Sequence, residues 1–517
     1  IPSRLVGSEM CIRDRNYIMK LENYKDYRNY SVKIYDIQMS MSVLSWDRET
    51  KMPKNGSKFR AQQLTTLAKI AYELSIDNDY GKLLDKLSND DSLNSDEKRN
   101  IYLSRKQFLK NKKYSTEFIV KQSKLISKAF NDWRIAKDKN DYKLFQDSLE
   151  KLVDLRREEC ELLGYDEHPY DALLDEYEPN LKTSDIDLIF DDVKNKLVPF
   201  IKKISDNNNI DDSFFYQFFE KNKQWDFGIK LLKQMGYDFD SGRQDISAHP
   251  FSSHFSPEDT RVTTRIDENN LSEMIWSCIH EGGHALYEQG ILSENYGTPL
   301  GNSVSLGIHE SQSRLWENHV GRSLEYWKNN FPSLKSLFPD KLKNIDFEKF
   351  YKATNNVKPS LIRTNADELT YHLHVLIRFE IEKGLIEGSI NVKDLQSIWN
   401  EKYYKYLGIK VPSDSVGVLQ DIHWSHGSFG YFPTYTLGSF YAAQFFNKAS
   451  DEIDNIENKI LKGDTSELLD WLRNNIHRYG ERYDANELCE KITGEELNFK
   501  YFMEYVTKKY SDIYDLN

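Results

Sequence analysis

Residues 280–284 read His280-Glu281-Gly282-Gly283-His284. They lie inside a stretch, Leu271 to Gly290, whose Met274, Ile275, Cys278, Ile279, Leu286 and Tyr287 repeat at helical spacing. On a helix the two histidines fall one turn apart on one face, so both imidazoles can converge on a single point. No other feature constrains the fold as strongly: the segment must be helical, and a second element must cross it to complete whatever the histidines hold. The tandem glycines each cost a helix about 1 kcal/mol relative to Ala, so a second backbone or a substrate is expected to approach closely there. Gly290 is placed to terminate the helix.

A catalytic zinc takes three protein ligands and keeps one position open. Glu288, one turn further along, climbs past the metal, so the third ligand should come from a neighbouring helix. Glu310, in His309-Glu310-Ser311-Gln312-Ser313-Arg314, lies in the next helical segment, which can return antiparallel after a turn at Gly297 to Gly301. Glu317 shares much of its face, and His309 and His319 compete as histidine ligands. The predicted set is His280, His284 and Glu310, with Zn2+ as the metal. Beside an ion that supplies Lewis acidity, Glu281 is expected to accept the proton of the attacking water and pass it to the leaving amine. A donor to the developing oxyanion is sought in three segments: His249-Pro250-Phe251, His423-Trp424, and the aromatic run from Tyr431 to Tyr435. An enzyme acting at the carboxy terminus must also hold a free carboxylate, for which Arg363, Arg261 and Arg265 are candidates; each has a structural salt bridge as its alternative role.

The rest of the sequence narrows the class. At 517 residues the chain can bury several hydrophobic cores. Asp and Glu outnumber Lys and Arg by 82 to 70, for a net charge of -12, which removes the cationic field of a dedicated nucleic-acid or acidic-membrane binder. The one basic, aromatic run, Phe108 to Tyr114, reads as a solvated helix face. Cys11, Cys160, Cys278 and Cys489 form no CxxC pair, so neither a disulfide framework nor a zinc-thiolate site is expected, and a reducing compartment fits. The chain opens on Ile without a charged, apolar and small-residue leader, and a cytoplasmic location is the expectation. Ile422 to Asn447 lacks Asp, Glu, Lys and Arg, but Pro433, its glycines and its hydroxyls mark a buried loop and helix of the active site. It is not read as a membrane span.

The expected architecture is mainly α, with a small β element. Helical patterns cover Leu21 to Leu44, Leu64 to Leu74, Phe118 to Leu163 and Ile186 to Val198, where Pro199 should end or kink the helix. Met52 to Gly56 reads as a turn and Asn207 to Asp212 as a surface loop. Helix formers thin out between Asp240 and Asp267, where Arg261 to Ile266 has the composition of a strand. Ten of the twelve histidines fall between His249 and His426, which points to a site in that half. With no repeat and no linker, one body is expected, with residues 1–240 as helical part and cleft wall, 241–440 as catalytic core, and 441–517 as helical carboxy-terminal part.

Several separated segments together carry a resemblance. They are His249-Pro250-Phe251, Asp259-x-Arg261-x-Thr263, the His280 to His284 helix, and His309-Glu310-Ser311-Gln312. Further along come Ile362-Arg363-x-x-Ala366-Asp367 and Gly417-x-x-Gln420-Asp421-x-His423-Trp424. In this order they resemble the thermostable (Taq-like) zinc metallocarboxypeptidase family. Ser45 to Pro53, Tyr170 to Pro179 and Ile476 to Gly480 extend the likeness towards both ends. The resemblance implies a saddle-like, deep-cleft fold similar to that of neurolysin. It also implies release of single carboxy-terminal residues from peptide substrates with a free carboxy terminus, with broad specificity and poor cleavage before proline. A homodimer is implied, as is Zn2+ with Co2+ as a possible substitute. It carries Glu281 over as general base, Glu310 as third ligand, Arg363 as anchor of the terminal carboxylate and Tyr435 as oxyanion donor; His423, from one of the three segments able to supply that donor, is counted with the catalytic residues. An oligopeptidase or dipeptidyl carboxypeptidase on the same fold is the nearest alternative. No nucleic-acid or membrane partner is expected.

Overall fold

The computed structural model describes residues 24–516; Cys11 and Leu21 lie outside them. Its first helix, α1 (Tyr24–Thr50), and the second, α2 (Ser57–Ser75), form a hairpin around the expected turn. Only Ala71 of α2 is buried, because the stripe Leu64, Leu67, Ile70 and Leu74 meets little more than α1. The stretch from Phe118 to Leu163 is two helices, α3 (Thr116–Lys139) and α4 (Lys143–Leu163), divided where Asn140 adopts a left-handed backbone.

Pro199 does not end its helix. Thr183–Asp192 continues through a wide π turn, Val193–Leu197, into Val198–Ser205. The π turn immediately before Pro199 accommodates it, since proline has no N–H to bond back into the preceding turn.

Three strands follow: β1 (Gly242–Ile246), β2 (Ser252–Ser256) and β3 (Asp259–Thr264). The order is β1-β3-β2, with β3 parallel to β1 and antiparallel to β2. Composition predicts only the third, and two residues late, since β1 and β2 are short and polar and acquire their conformation from pairing. The His249-Pro250-Phe251 segment joins β1 to β2, held by Thr263, whose hydroxyl accepts from Phe251 N at 2.9 Å.

Helix α5 (Leu271–Glu288) starts at Asn270, whose side chain accepts from Ser272 N. It buries Met274, Ile275, Cys278, Ile279 and Leu286. Helix α6 (Leu306–Arg314) returns against it. A Cβ on Gly283 would lie 2.7 Å from Ser313 Cα and 2.8 Å from Gln312 O, so the second glycine of the motif lets two helix backbones meet. Helix α7 (Tyr371–Glu387) is buried on nearly every side and α8 (Pro433–Glu452) over most of its length. Asp367 closes the turn that leads into α7, accepting from Leu369 N and Thr370 N at 2.9 Å each.

One apolar core runs from Ala129 to Tyr514. A smaller, separate core of Tyr27, Tyr30, Tyr80, Leu84, Ile101 and Phe108 belongs to the amino-terminal helices. Arg28, Ser31 and Asn100 dock that unit on the 294–300 loop through its backbone. Among the described residues, no helix is long and apolar enough to cross a membrane.

Candidate metal centre and active site

Helices α5 and α6 bring His280, His284 and Glu310 together, with one ligand atom from each lying within 4.8 Å of the others. Glu310 Oε2 is 3.3 Å from His284 Nε2 and 3.6 Å from His280 Nε2. Two imidazoles and a carboxylate, all but enclosed by protein and aimed at one point, form a donor set that fits a divalent metal and leaves one face open.

Glu310 is held by an arginine one turn along α6. Arg314 Nε donates to Glu310 Oε1 at 2.7 Å and its Nη1 donates to Glu317 Oε2 at 3.1 Å, while the guanidinium lies 4.3 Å over the Tyr371 ring. Burial alone pushes the Glu310 carboxyl up, but Arg314 and His280 hold it well below the usual carboxylate range. One oxygen is thereby committed to Arg314, and Oε2 faces the histidines. Where Glu310 passes α8, a Cβ on Gly438 would lie 2.4 Å from Glu310 Cγ.

The competing carboxylates and histidines occupy supporting positions. Glu317 accepts from His280 Nδ1 at 2.9 Å, which points His280 Nε2 towards the centre. Arg322 braces Glu317 from the other side at 3.3 Å. Glu288 pairs with His309 Nε2 at 2.8 Å, and the His309 ring stacks on His284 with centroids 4.5 Å apart. His319 lies elsewhere, against Tyr505 and Phe446. Spacing on the sequence did not single out Arg314, although its i+4 and i−3 relations to Glu310 and Glu317 are the pattern of a carboxylate brace.

Glu281 is buried between the two histidines. Burial pushes its carboxyl up to about 7, against the opposing pull of His280. His423 and Tyr435, the latter in the first turn of α8, lie on the Glu310 side, where the Glu310 charge acts on the Tyr435 hydroxyl. Tyr435 OH and His423 Nε2 are 3.2 Å apart, and burial followed by the nearby Arg363 pushes His423 down to about 3, so its ring is neutral. Burial raises the Tyr435 hydroxyl well above its ordinary value, which keeps its proton in place.

The arginine candidates are all ion-paired. Arg261 is bidentate on Asp259 at 2.8 Å for both bonds and lies 4.6 Å over Trp46, and Arg265 meets Glu273 at 3.4 Å. Arg363, read from sequence as a carboxylate anchor, is buried: Nε donates to Asp421 Oδ1 and Nη1 to Tyr371 OH, each at 3.0 Å. Arg378 closes on the other oxygen of Asp421 at 2.6 Å. The Ile362–Asp367 and Gly417–Trp424 motifs thus meet through a two-arginine, one-aspartate cluster, and Arg363 Nη2 is the edge left outside these bonds. The guanidinium faces the Tyr435 ring at 4.7 Å.

Comparison with known proteins places these features in a wider set. The profile of the carboxypeptidase Taq (M32) metallopeptidase family matches residues 26–510. The chain is 38% identical over 499 residues to carboxypeptidase 1 of Bacillus subtilis, covering 96% of this chain and 100% of that one. Among solved structures, that of CHT is 52% identical, with a TM-score of 0.93 over 94% of this chain and 99% of the other. The M32 carboxypeptidase from Deinococcus radiodurans R1 is 35% identical, with a TM-score of 0.93 over 95% and 99%.

Proposed function

The chain belongs to the carboxypeptidase Taq (M32) metallopeptidase family and is a metallocarboxypeptidase, and on that premise we propose how its own residues divide the work. The observation that carries the reading is the convergence of His280 Nε2, His284 Nε2 and Glu310 Oε2. This donor set suits zinc, with cobalt as a possible substitute. When bound, the ion polarises the scissile carbonyl and acidifies water.

Glu281 accepts a proton from the attacking water and returns it to the leaving amide nitrogen. A carboxyl raised to about 7 is matched to both halves of that task. Tyr435 donates its hydroxyl hydrogen to the developing oxyanion, oriented by neutral His423, which accepts or releases the Tyr435 bond as the hydroxyl turns. Arg363 presents Nη2 to the terminal carboxylate while Asp421 and Tyr371 hold the rest of its fork. The substrates are peptides with a free carboxy terminus. The three described cysteines, Cys160, Cys278 and Cys489, are buried free thiols, which supports a cytoplasmic location; we propose a homodimer there with no nucleic-acid partner.

A time course of amino-acid release from two matched peptides, one with a free and one with an amidated carboxy terminus, tests this reading on metal-replete protein. Single residues should leave the free peptide stepwise and the amidated one should stay intact. Release of dipeptides, or internal cleavage of both peptides, would instead assign a dipeptidyl carboxypeptidase or an oligopeptidase.

A further inference from the structure

The Tyr170 to Pro179 segment takes no part in the chemistry above, yet it reaches the site. Glu178 is 1% exposed and contacts two helices that are 129 and 256 residues away in sequence. Its Oε1 accepts from Gly307 N at 2.5 Å, in the first turn of α6, and from Thr434 Oγ1 at 3.0 Å, in the first turn of α8. One residue earlier, Tyr177 O accepts from Leu306 N at 3.2 Å, and Ser305 Oγ accepts from Ile308 N at 3.1 Å. The first three N–H groups of α6 are therefore capped, two of them by residues 177 and 178.

We propose that Glu178 is a positioning residue of the active site, fixing α6 and α8 relative to each other so that Glu310 in the ligand set and Tyr435 at the substrate carbonyl are held in register. Helix α6 has only nine residues, and Gly307 is three before Glu310, about 4.5 Å along the axis on the same face. A shift of the first turn is therefore transmitted to the ligand with little room to decay. On α8, Thr434 is adjacent to Tyr435, so the second bond acts on the opposite wall. The contact also demands glycine at 307, where a Cβ would fall 2.8 Å from Glu178 Oε1. A negative group at a helix N-terminus is favoured by the helix dipole, but burying a carboxylate is costly unless it is well paired. Glu178 Oε2 has no hydrogen-bond partner, so fold stability alone is a poor reason for a carboxylate here. Burial pushes its carboxyl up to about 7.

This inference rests on Glu310 as a metal ligand. The test is zinc affinity by competition with a chromophoric chelator, with kcat and KM measured at saturating zinc, for wild type, Glu178→Ala, Glu178→Gln, Thr434→Val and Glu310→Ala. Glu178→Ala should weaken zinc binding tenfold or more, within the range found when groups supporting metal ligands are removed, and lower kcat with KM little changed. Glu178→Gln, which keeps an acceptor for Gly307, should recover part of both. If Glu178→Ala does not fold, Glu178→Gln and Thr434→Val still decide. Thr434→Val should lower kcat several-fold with zinc affinity intact. Folded variants whose melting temperature falls while zinc affinity and kcat stay at the wild-type values would overturn the proposal and leave Glu178 structural. Should Glu310→Ala bind zinc like wild type, the ligand set itself fails and this inference with it. Loss of zinc in Glu310→Ala alone would sink only the role of Glu178.

Discussion

Two buried charge clusters stand out in the molecule, and they are built in opposite ways. At the metal centre two histidine nitrogens and Glu310 Oε2 point at one another's neighbourhood. Bonds from Glu317, Arg314 and Ser313 fix the aim of His280 and Glu310, Ser313 Oγ donating to Glu310 Oε2 itself at 3.0 Å, while both histidine Nε2 atoms face that carboxylate oxygen. In the Arg363–Asp421–Arg378 cluster two guanidinium groups close on the two oxygens of one aspartate. Despite burial, Arg378 and Arg363 hold the Asp421 carboxyl well below the usual range. The first cluster is organised towards something outside the chain, and the second is largely complete within it. Burial of charge therefore does not by itself identify a reacting group; the direction of the unpaired atoms does.

The comparison breaks most directly at its ligand side. Glu310→Ala should abolish stoichiometric zinc binding and turnover together, measured by metal analysis after dialysis and by amino-acid release. Glu281→Gln should keep full zinc content while turnover falls about a hundredfold to ten-thousandfold; near-wild-type turnover would remove Glu281 from the mechanism.

The self-contained cluster answers to stability. Arg363→Met leaves Asp421 paired with Arg378 alone and should destabilise in denaturant unfolding by less than the about 3–5 kcal/mol of a buried pair broken outright. Adding Asp421→Asn to Arg363→Met should destabilise further, because the fully buried Arg378 then loses its carboxylate partner. If folded Arg363→Met keeps the wild-type KM for free-carboxyl peptides, Arg363 is purely structural; a raised KM marks the anchoring edge. Smaller again, Glu317→Gln should weaken zinc binding about tenfold to a hundredfold, because His280 loses its orienting carboxylate.

The last prediction concerns Glu382, which receives Tyr170 OH, Trp424 Nε1 and Gly430 N, with Arg378 as the nearby charge. Burial pushes its carboxyl up to about 7. The folded state thus holds this proton more tightly than the unfolded chain, where Glu titrates near about 4.3. Its contribution to stability is present below about pH 4 and is lost as pH rises through about 7. Glu382→Gln should flatten that pH dependence, by an amount on the order of 2 kcal/mol. Unfolding midpoints at pH 5 and pH 8 that change equally in both proteins would reject the assignment.

Much of this molecule is determined by the sequence alone, because local periodicity and one-turn spacing are properties of consecutive residues. The α5 helix, the pairing of His280 with His284, and a following helix able to supply Glu310 are of this kind. So is the need for a close backbone at the tandem glycines, which Ser313 and Gln312 meet. What only the tertiary structure decided depends on residues far apart in the chain. Strands β1 and β2 are too short and polar to signal themselves before they pair with β3. Arg363 carries the same side chain whether it is free or ion-paired, and Asp421 decides which atoms remain available. Glu178 sits in a motif whose purpose is invisible until two distant helix N-termini close around its carboxylate. Sequence spacing thus selects the groups that can converge, while long-range packing sets where their ligating atoms point.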